Sequence, residues 1–215
     1  DQLRPHIGVF LNLTEDHMDR HQSFAVYGMT KRALLAKQNE TDWAVVNRDD
    51  VEVWSLAHGL AGRIFSFGWQ PVAEGAWIEN STLHLRRDMQ TQSFSLERLH
   101  LYGRHNLENV MAAASVAFLW GVAPEVIATA LASFTGLPHR LELVAEKKGV
   151  RYFDDSKGTN VGAVVQSLAS FPGPVILLAG GVDKGGEYRP LQALVREKVK
   201  LLIVFGQARE LIREA

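Results

Sequence analysis

Val150-Arg151-Tyr152-Phe153-Asp154-Asp155-Ser156-Lys157-Gly158-Thr159-Asn160 decides how this chain is read. Val150, Tyr152 and Phe153 make an apolar run that reads as a strand over 150–154. From Asp154 onward two carboxylates, an ammonium, two hydroxyls and an amide stand side by side. Val161 to Phe171 then reads as a helix. A polar cluster at a strand-to-helix turn is where an open α/β sheet carries its ligand chemistry. The alternation continues downstream, with strand 175–179, helix 190–198, strand 201–205 and helix 208–215. That pattern predicts βαβ units and a parallel sheet.

Upstream, the breaker cluster Thr135-Gly136-Leu137-Pro138-His139 marks a boundary, giving parts 1–137 and 138–215. The first part reads as strand 7–13, helix 23–39 with Ser23 as N-cap, strand 43–46, helix 51–58 and strand 63–69. A hairpin follows over 76–87 with its turn at Asn80-Ser81, then strand 93–101 and helices 106–120 and 124–134. The predicted fold class is α/β. Ile7 to Leu13 already reads as a buried strand and Ala208 to Ala215 as a helix that has just begun, so a piece of something longer is expected.

A net charge of −1 gives no polyanion or anionic membrane surface a reason to bind, and no basic tract marks nucleic-acid binding. No apolar run approaches the length of a membrane span. The chain has no cysteine, which excludes disulfides and thiolate zinc sites. The cytoplasm is the default location.

Several further clusters carry chemistry. Glu15, Asp16, His17, Asp19 and His21 fall within one short stretch. His17 and His21 share a helix face, which suits zinc, whereas the carboxylates suit a hard cation such as Mg²⁺. A solvated helix start with an acidic first turn explains the same residues equally well. Lys31, four after Tyr27, reads by itself as a surface lysine. Asn106 and Asn109 sit at a helix entry, where capping is the favoured reading and contact with a base edge the alternative. Arg140 has the planar fork that matches a phosphate, although an exposed interdomain arginine needs no ligand. Gly180-Gly181-Val182-Asp183-Lys184-Gly185-Gly186 follows a strand and could let backbone N–H groups approach an anion. It matches neither GxxxxGK[ST] nor GxGxxG.

Taken in order, Asn12 to His21, Tyr27 with Lys31, Gly103 to Asn109, Pro138-His139-Arg140, Asp154 to Asn160 and Gly180 to Lys184 resemble the Mur ligases. The form DSK-x-TN at the fifth motif is similar to the members that join D-glutamate to UDP-N-acetylmuramoyl-L-alanine in peptidoglycan synthesis. The resemblance implies an ATP-dependent amide ligase acting through an acyl phosphate, with Mg²⁺ and ATP as cofactors, as a monomer without nucleic acid or membrane partners. It implies that residues 1–137 are the second half of the ATPase-like central domain. Residues 138–215 would be a truncated Rossmann-like C-terminal domain, with ATP and D-glutamate in the cleft between the two. By position, His17 matches a histidine that helps bind Mg²⁺, and Lys31 a carbamylated lysine at the same metal. Asn106 and Asn109 match residues near the adenine, Arg140 a phosphate contact and Asp155 a ribose contact. Lys157, Thr159 and Lys184 match receivers of the D-glutamate carboxylates, with Asp183 in the same loop.

Departures from the family pattern set further expectations. A phosphate loop of the GKS/T type occurs nowhere in the 215 residues, so the chain by itself is expected to be inactive. Gly158 stands where Ala is more usual, and Val182 where Asp is common. The rival readings are a ligase of the same superfamily for another amino acid, a binding module that has kept the fold without the chemistry, and a zinc protein built on His17 and His21.

Overall fold

The computed structural model describes residues 3–14, 20–183, 185 and 187–215. The chain falls into two compact units, Asp1–His100 with Leu107–Phe134, and Leu101–Asn106 with Thr135–Ala215.

The first unit is built on one sheet. Strands β1 (Ile7–Phe10), β2 (Trp43–Asn47), β3 (Arg63–Gly68), β4 (Gly75–Glu79), β5 (Thr82–Arg87) and β6 (Gln90–Ser95) lie side by side in chain order. The first four run parallel, and β4–β5 and β5–β6 are antiparallel. Helices α1 (Phe24–Arg32) and α2 (Val51–Ala57) connect the first three strands. Every residue of β2 is buried, as expected of a parallel strand covered on both faces. On one face Phe10, Ala44 and Val46 pack with Tyr27, Leu35, Val53 and Ala57 from the helical segments. On the other, the Phe65 ring meets Trp43 at 6.2 Å and Phe118 at 6.0 Å. Phe118 belongs to α3 (Arg104–Leu119), which is followed by α4 (Pro124–Ser133) with Pro in its first turn. Asp50 joins two of these elements. One carboxylate oxygen accepts from Val53 N and caps α2, and the other accepts from Leu13 N, both at 2.9 Å.

The sequence-based boundaries shift in several places. The strand expected over 7–13 ends at Phe10, and the helix expected over 23–39 keeps α geometry only to Arg32. Beyond it Leu34 N bonds Lys31 O and Leu35 N bonds Arg32 O, a tighter i→i+3 pattern that delivers Leu35 to the core. The hairpin at Asn80-Ser81 is present, with both residues at positive φ (48° and 56°) as a two-residue primed turn requires. The strand expected over 93–101 is instead β6, closed by a second such turn at Asp88-Met89 (φ 51° and 63°). Met89 carries no turn signal, and Phe94 is the single buried side chain of β6.

In the second unit β7 (Glu142–Lys147) and β8 (Val150–Asp154) form an antiparallel hairpin around Lys148-Gly149 (φ 52° and 75°). Then come α5 (Val161–Ala169), β9 (Val175–Gly181), a 3-10 turn Arg189–Leu191, α6 (Gln192–Lys198), β10 (Val199–Gly206) and α7 (Arg209–Glu214). β9 and β10 pair in parallel across α6, as the alternation requires. β8 does not join them in one parallel sheet as the alternation suggested; its partner is β7. β7 escaped the sequence reading because Glu142-Leu143-Val144-Ala145-Glu146-Lys147 is exposed almost throughout and so shows no buried face. The rings of Tyr102 and Phe171 each meet Phe153 edge-on at 4.9 Å, which seats the 101–106 segment on this unit.

Candidate functional site

In the second unit, Asp154 to Asn160 form the turn between β8 and α5. Asn160 starts the helix, its Oδ1 accepting from Ala163 N at 2.8 Å. Gly158 N donates to Asp155 O at 2.8 Å and Thr159 N to Lys157 O at 2.9 Å, so the turn is tight. A Cβ at Gly158 would lie 2.9 Å from Asp155 Oδ2 and 3.0 Å from Asp155 O, which gives the glycine at this position a local steric reason. Asp155 faces inward. It accepts from Leu141 N at 3.1 Å and from the Ser167 hydroxyl, which leaves lone pairs over for a ligand hydroxyl. Lys157, Thr159 and Arg140 have exposed side chains.

The breaker segment docks on this turn. Lys157 N donates to His139 O at 3.1 Å, and the His139 ring bonds Asp154 Oδ2 at 2.7 Å. That bond, with further bonds from the Ser156 backbone and hydroxyl, holds the Asp154 carboxyl well below its ordinary range, at about 2. A carboxyl with a lower pKa folded than unfolded stabilises the fold above its unfolded value, and the contribution fades as pH falls to the folded value. Asp154→Asn is therefore expected to lower the melting temperature at neutral pH, with the gap to the parent closing between about pH 5 and pH 2. Thermal melts across that range check it, and a gap that stays constant would contradict the depressed carboxyl. His139, Asp154 and Ser167 had no role in the sequence reading. Asp154 and His139 stood inside quoted motifs, but their contact joins positions far apart in sequence.

In the loop after β9, Asp183 Oδ1 accepts from the Tyr188 hydroxyl at 2.8 Å, which pushes the phenol up. Lys184 lies outside the described residues. Asn106 is not an N-cap: α3 begins two residues earlier, and the Asn106 amide reaches back to Tyr102 O at 2.7 Å. Asn109, one turn on, is exposed.

In the first unit, Lys31 lies in the last turn of α1 and lines a cavity of about 450 Å³ with Arg20, His21, Tyr27 and Thr30. Its ammonium sits 5.2 Å from the centroid of the Tyr27 ring, and the His21 ring is 4.8 Å from that ring. His17 lies outside the described residues, as do Glu15, Asp16 and Asp19. The described lining of the cavity is cationic and aromatic, and Thr30 spends its hydroxyl on Val26 O. A hard cation such as Mg²⁺ needs anionic oxygen, so these side chains do not fit it as they stand. Lys31 would meet the requirement only as a carbamate.

Residues 1–117 match the family described as the Mur ligase middle domain, more than half of the chain. This chain belongs to the Mur ligases. It is 42% identical over 208 residues to the UDP-N-acetylmuramoylalanine–D-glutamate ligase of Geobacter metallireducens, covering 96% of this chain and 46% of the relative. The same-named protein of Geotalea daltonii is 43% identical over 212 residues, covering 98% and 47%. The chain thus spans about half the length of the curated relatives it matches. Among solved Mur ligases, MurF from Acinetobacter baumannii superposes with a TM-score of 0.73 at 20% identity, covering 98% of this chain and 49% of that one. MurF from Thermotoga maritima in complex with ADP gives 0.62 at 21% identity, covering 98% and 55%. At such identities the likeness is one of fold, and it places this Mur ligase chain in the mixed α/β class. Among the described residues no helix is long and apolar enough to cross a membrane.

Proposed function

We propose that the full-length protein carrying this sequence is a cytoplasmic, ATP-dependent ligase that joins D-glutamate to UDP-N-acetylmuramoyl-L-alanine. The observation that carries this reading is the identity of about two residues in five, over a match that extends across both units, to ligases named for D-glutamate. In the proposed reaction the substrate carboxylate takes the γ-phosphoryl group of ATP and ADP departs. The amine of D-glutamate then attacks the acyl carbon, orthophosphate leaves, and the amine proton passes to solvent or base. Such a reaction needs positioning and charge neutralisation above all.

The proposed parts are carried over by position from the resemblance, and the side chains present can supply them. Arg140 offers its exposed guanidinium to nucleotide phosphate, and Asp155 its remaining lone pairs to the ribose. Asn106 and Asn109 stand near the adenine. Lys157 and Thr159, with Lys184, receive the carboxylates of D-glutamate. His17 and a carbamylated Lys31 are the proposed metal ligands. Residues 1–137 and 138–215 are proposed to be parts of the central and C-terminal Mur ligase domains.

The test is phosphate release by the full-length protein with ATP, Mg²⁺ and UDP-N-acetylmuramoyl-L-alanine, comparing D-glutamate, L-glutamate, glycine and L-alanine. Release confined to D-glutamate is expected. Release with another amino acid would keep the chemistry and overturn the acceptor; no release with any would overturn the reading.

A further inference from the structure

His139 and Leu141 are not glycines, yet both occupy the left-handed region, at φ 65° and 45°. Side chains rarely adopt that conformation, and it persists where the surroundings over-determine it. Four bonds do so here. His139 N donates to Glu142 Oε2 at 2.8 Å, and the His139 ring bonds Asp154 Oδ2 at 2.7 Å. Leu141 N donates to Asp155 Oδ1 at 3.1 Å, and Lys157 N donates to His139 O at 3.1 Å. The Leu141 side chain is buried, which anchors the far end of the segment. Arg140 stands between the two left-handed residues with its side chain in solvent. Its backbone direction is therefore set by these four bonds, which end on β7, on β8 or on the turn that follows β8, together with its own N–H, which donates to Leu137 O at 3.3 Å.

We propose that His139 and Asp154 are positioning residues whose hydrogen bond clasps the segment carrying Arg140 to the turn carrying Asp155, Lys157 and Thr159. The role in turnover rests on the ligase reading above; the clasp itself rests on the bonds. Its consequence is that the nucleotide contacts and the acceptor contacts are set by one local structure. A metal reading of the same residues is weaker. His139, Glu142 and Asp154 bring candidate ligand atoms within 4.8 Å of one another, but each residue is already engaged by the bonds just described. The pair is partly exposed, so its contribution to stability is modest and its main effect is to fix the local geometry.

The experiment is amide hydrogen exchange on the full-length protein, parent against His139→Ala and His139→Asn, together with KM values for ATP and D-glutamate. An asparagine amide nitrogen occupies the position of His Nδ1 and can donate to Asp154. In His139→Ala the protection of the Leu141 and Lys157 amides is expected to fall about tenfold, as loss of a charge-assisted bond implies. Both KM values should rise together by a similar factor while kcat changes less. His139→Asn should restore protection and both KM values, which a merely space-filling histidine would not allow. Unchanged protection in His139→Ala would overturn the clasp, and lost protection with both KM values intact would overturn its role in positioning. If the parent releases no phosphate with D-glutamate, the ligase reading fails, and exchange still decides the clasp.

Discussion

In the full-length protein, Lys157→Ala is expected to raise the KM for D-glutamate about tenfold to a hundredfold and to change kcat far less. The magnitude is that of a hydrogen bond between charged groups, about 1.5–3 kcal/mol, at roughly 1.4 kcal/mol for each factor of ten. The local structure is prepared for it. Lys157 is pinned through its backbone N–H to His139 O, and the turn closes behind it through Gly158 N and Asp155 O. Only the side chain is left in solvent, so binding a carboxylate costs rotamer freedom and little rearrangement of the backbone. Initial rates of phosphate release at varied D-glutamate check the prediction. Lys157→Arg keeps the charge and should lie between parent and alanine, because a planar fork does not replace a compact ammonium. A rise in the KM for ATP alone would move Lys157 to the nucleotide, and an unchanged pair of KM values would remove it from the site.

The turn that carries Lys157 was legible in the sequence because its frame is local: a strand, a polar turn and the start of a helix within a dozen residues. The Asn80-Ser81 hairpin was legible for the same reason. β7 and β6 were not. Each is a largely exposed strand next to a hairpin turn, and an exposed strand leaves no periodic pattern to read. The same blindness turned the alternation after residue 150 into a single parallel sheet, whereas β8 pairs with β7. The contact of His139 with Asp154 was out of reach in principle, since it depends on how two separate segments dock. Asn106 went wrong by two residues: a helix that starts at Arg104 moves it from the cap into the first turn, with its amide directed backward. Lys31 is the reverse case. Spacing alone reads it as a surface lysine, and the resemblance gave it a role. The cavity beside it is consistent with either reading, because the described lining holds cations and rings.

The largest effect on stability is expected from Phe65→Ala, at about 3–5 kcal/mol. Phe65 is fully buried in β3, an interior strand of the six-stranded sheet, opposite Val45 of β2. Its ring is the link between layers, with Trp43 on the neighbouring strand and Phe118 on α3. Truncation removes both aromatic contacts and leaves a void between rigid elements. The neighbours cannot close it, because Trp43 is fixed by the sheet and Phe118 by its helix. A loss of that size is a large share of the 5–15 kcal/mol by which a domain is usually stable. At about 2–4 °C for each kcal/mol in a chain of this length, the melting temperature should fall by about 6–20 °C. Phe65→Leu fills much of the space and should cost clearly less than the alanine. Denaturant unfolding of the three proteins checks the order, and an alanine variant within about 1 kcal/mol of the parent would mean that the core around Phe65 collapses onto the gap. The turn between β8 and α5 offers an independent control. It lies in the other compact unit, so Phe65→Ala should leave hydrogen-exchange protection at Leu141 and Lys157 unchanged wherever the first unit remains folded.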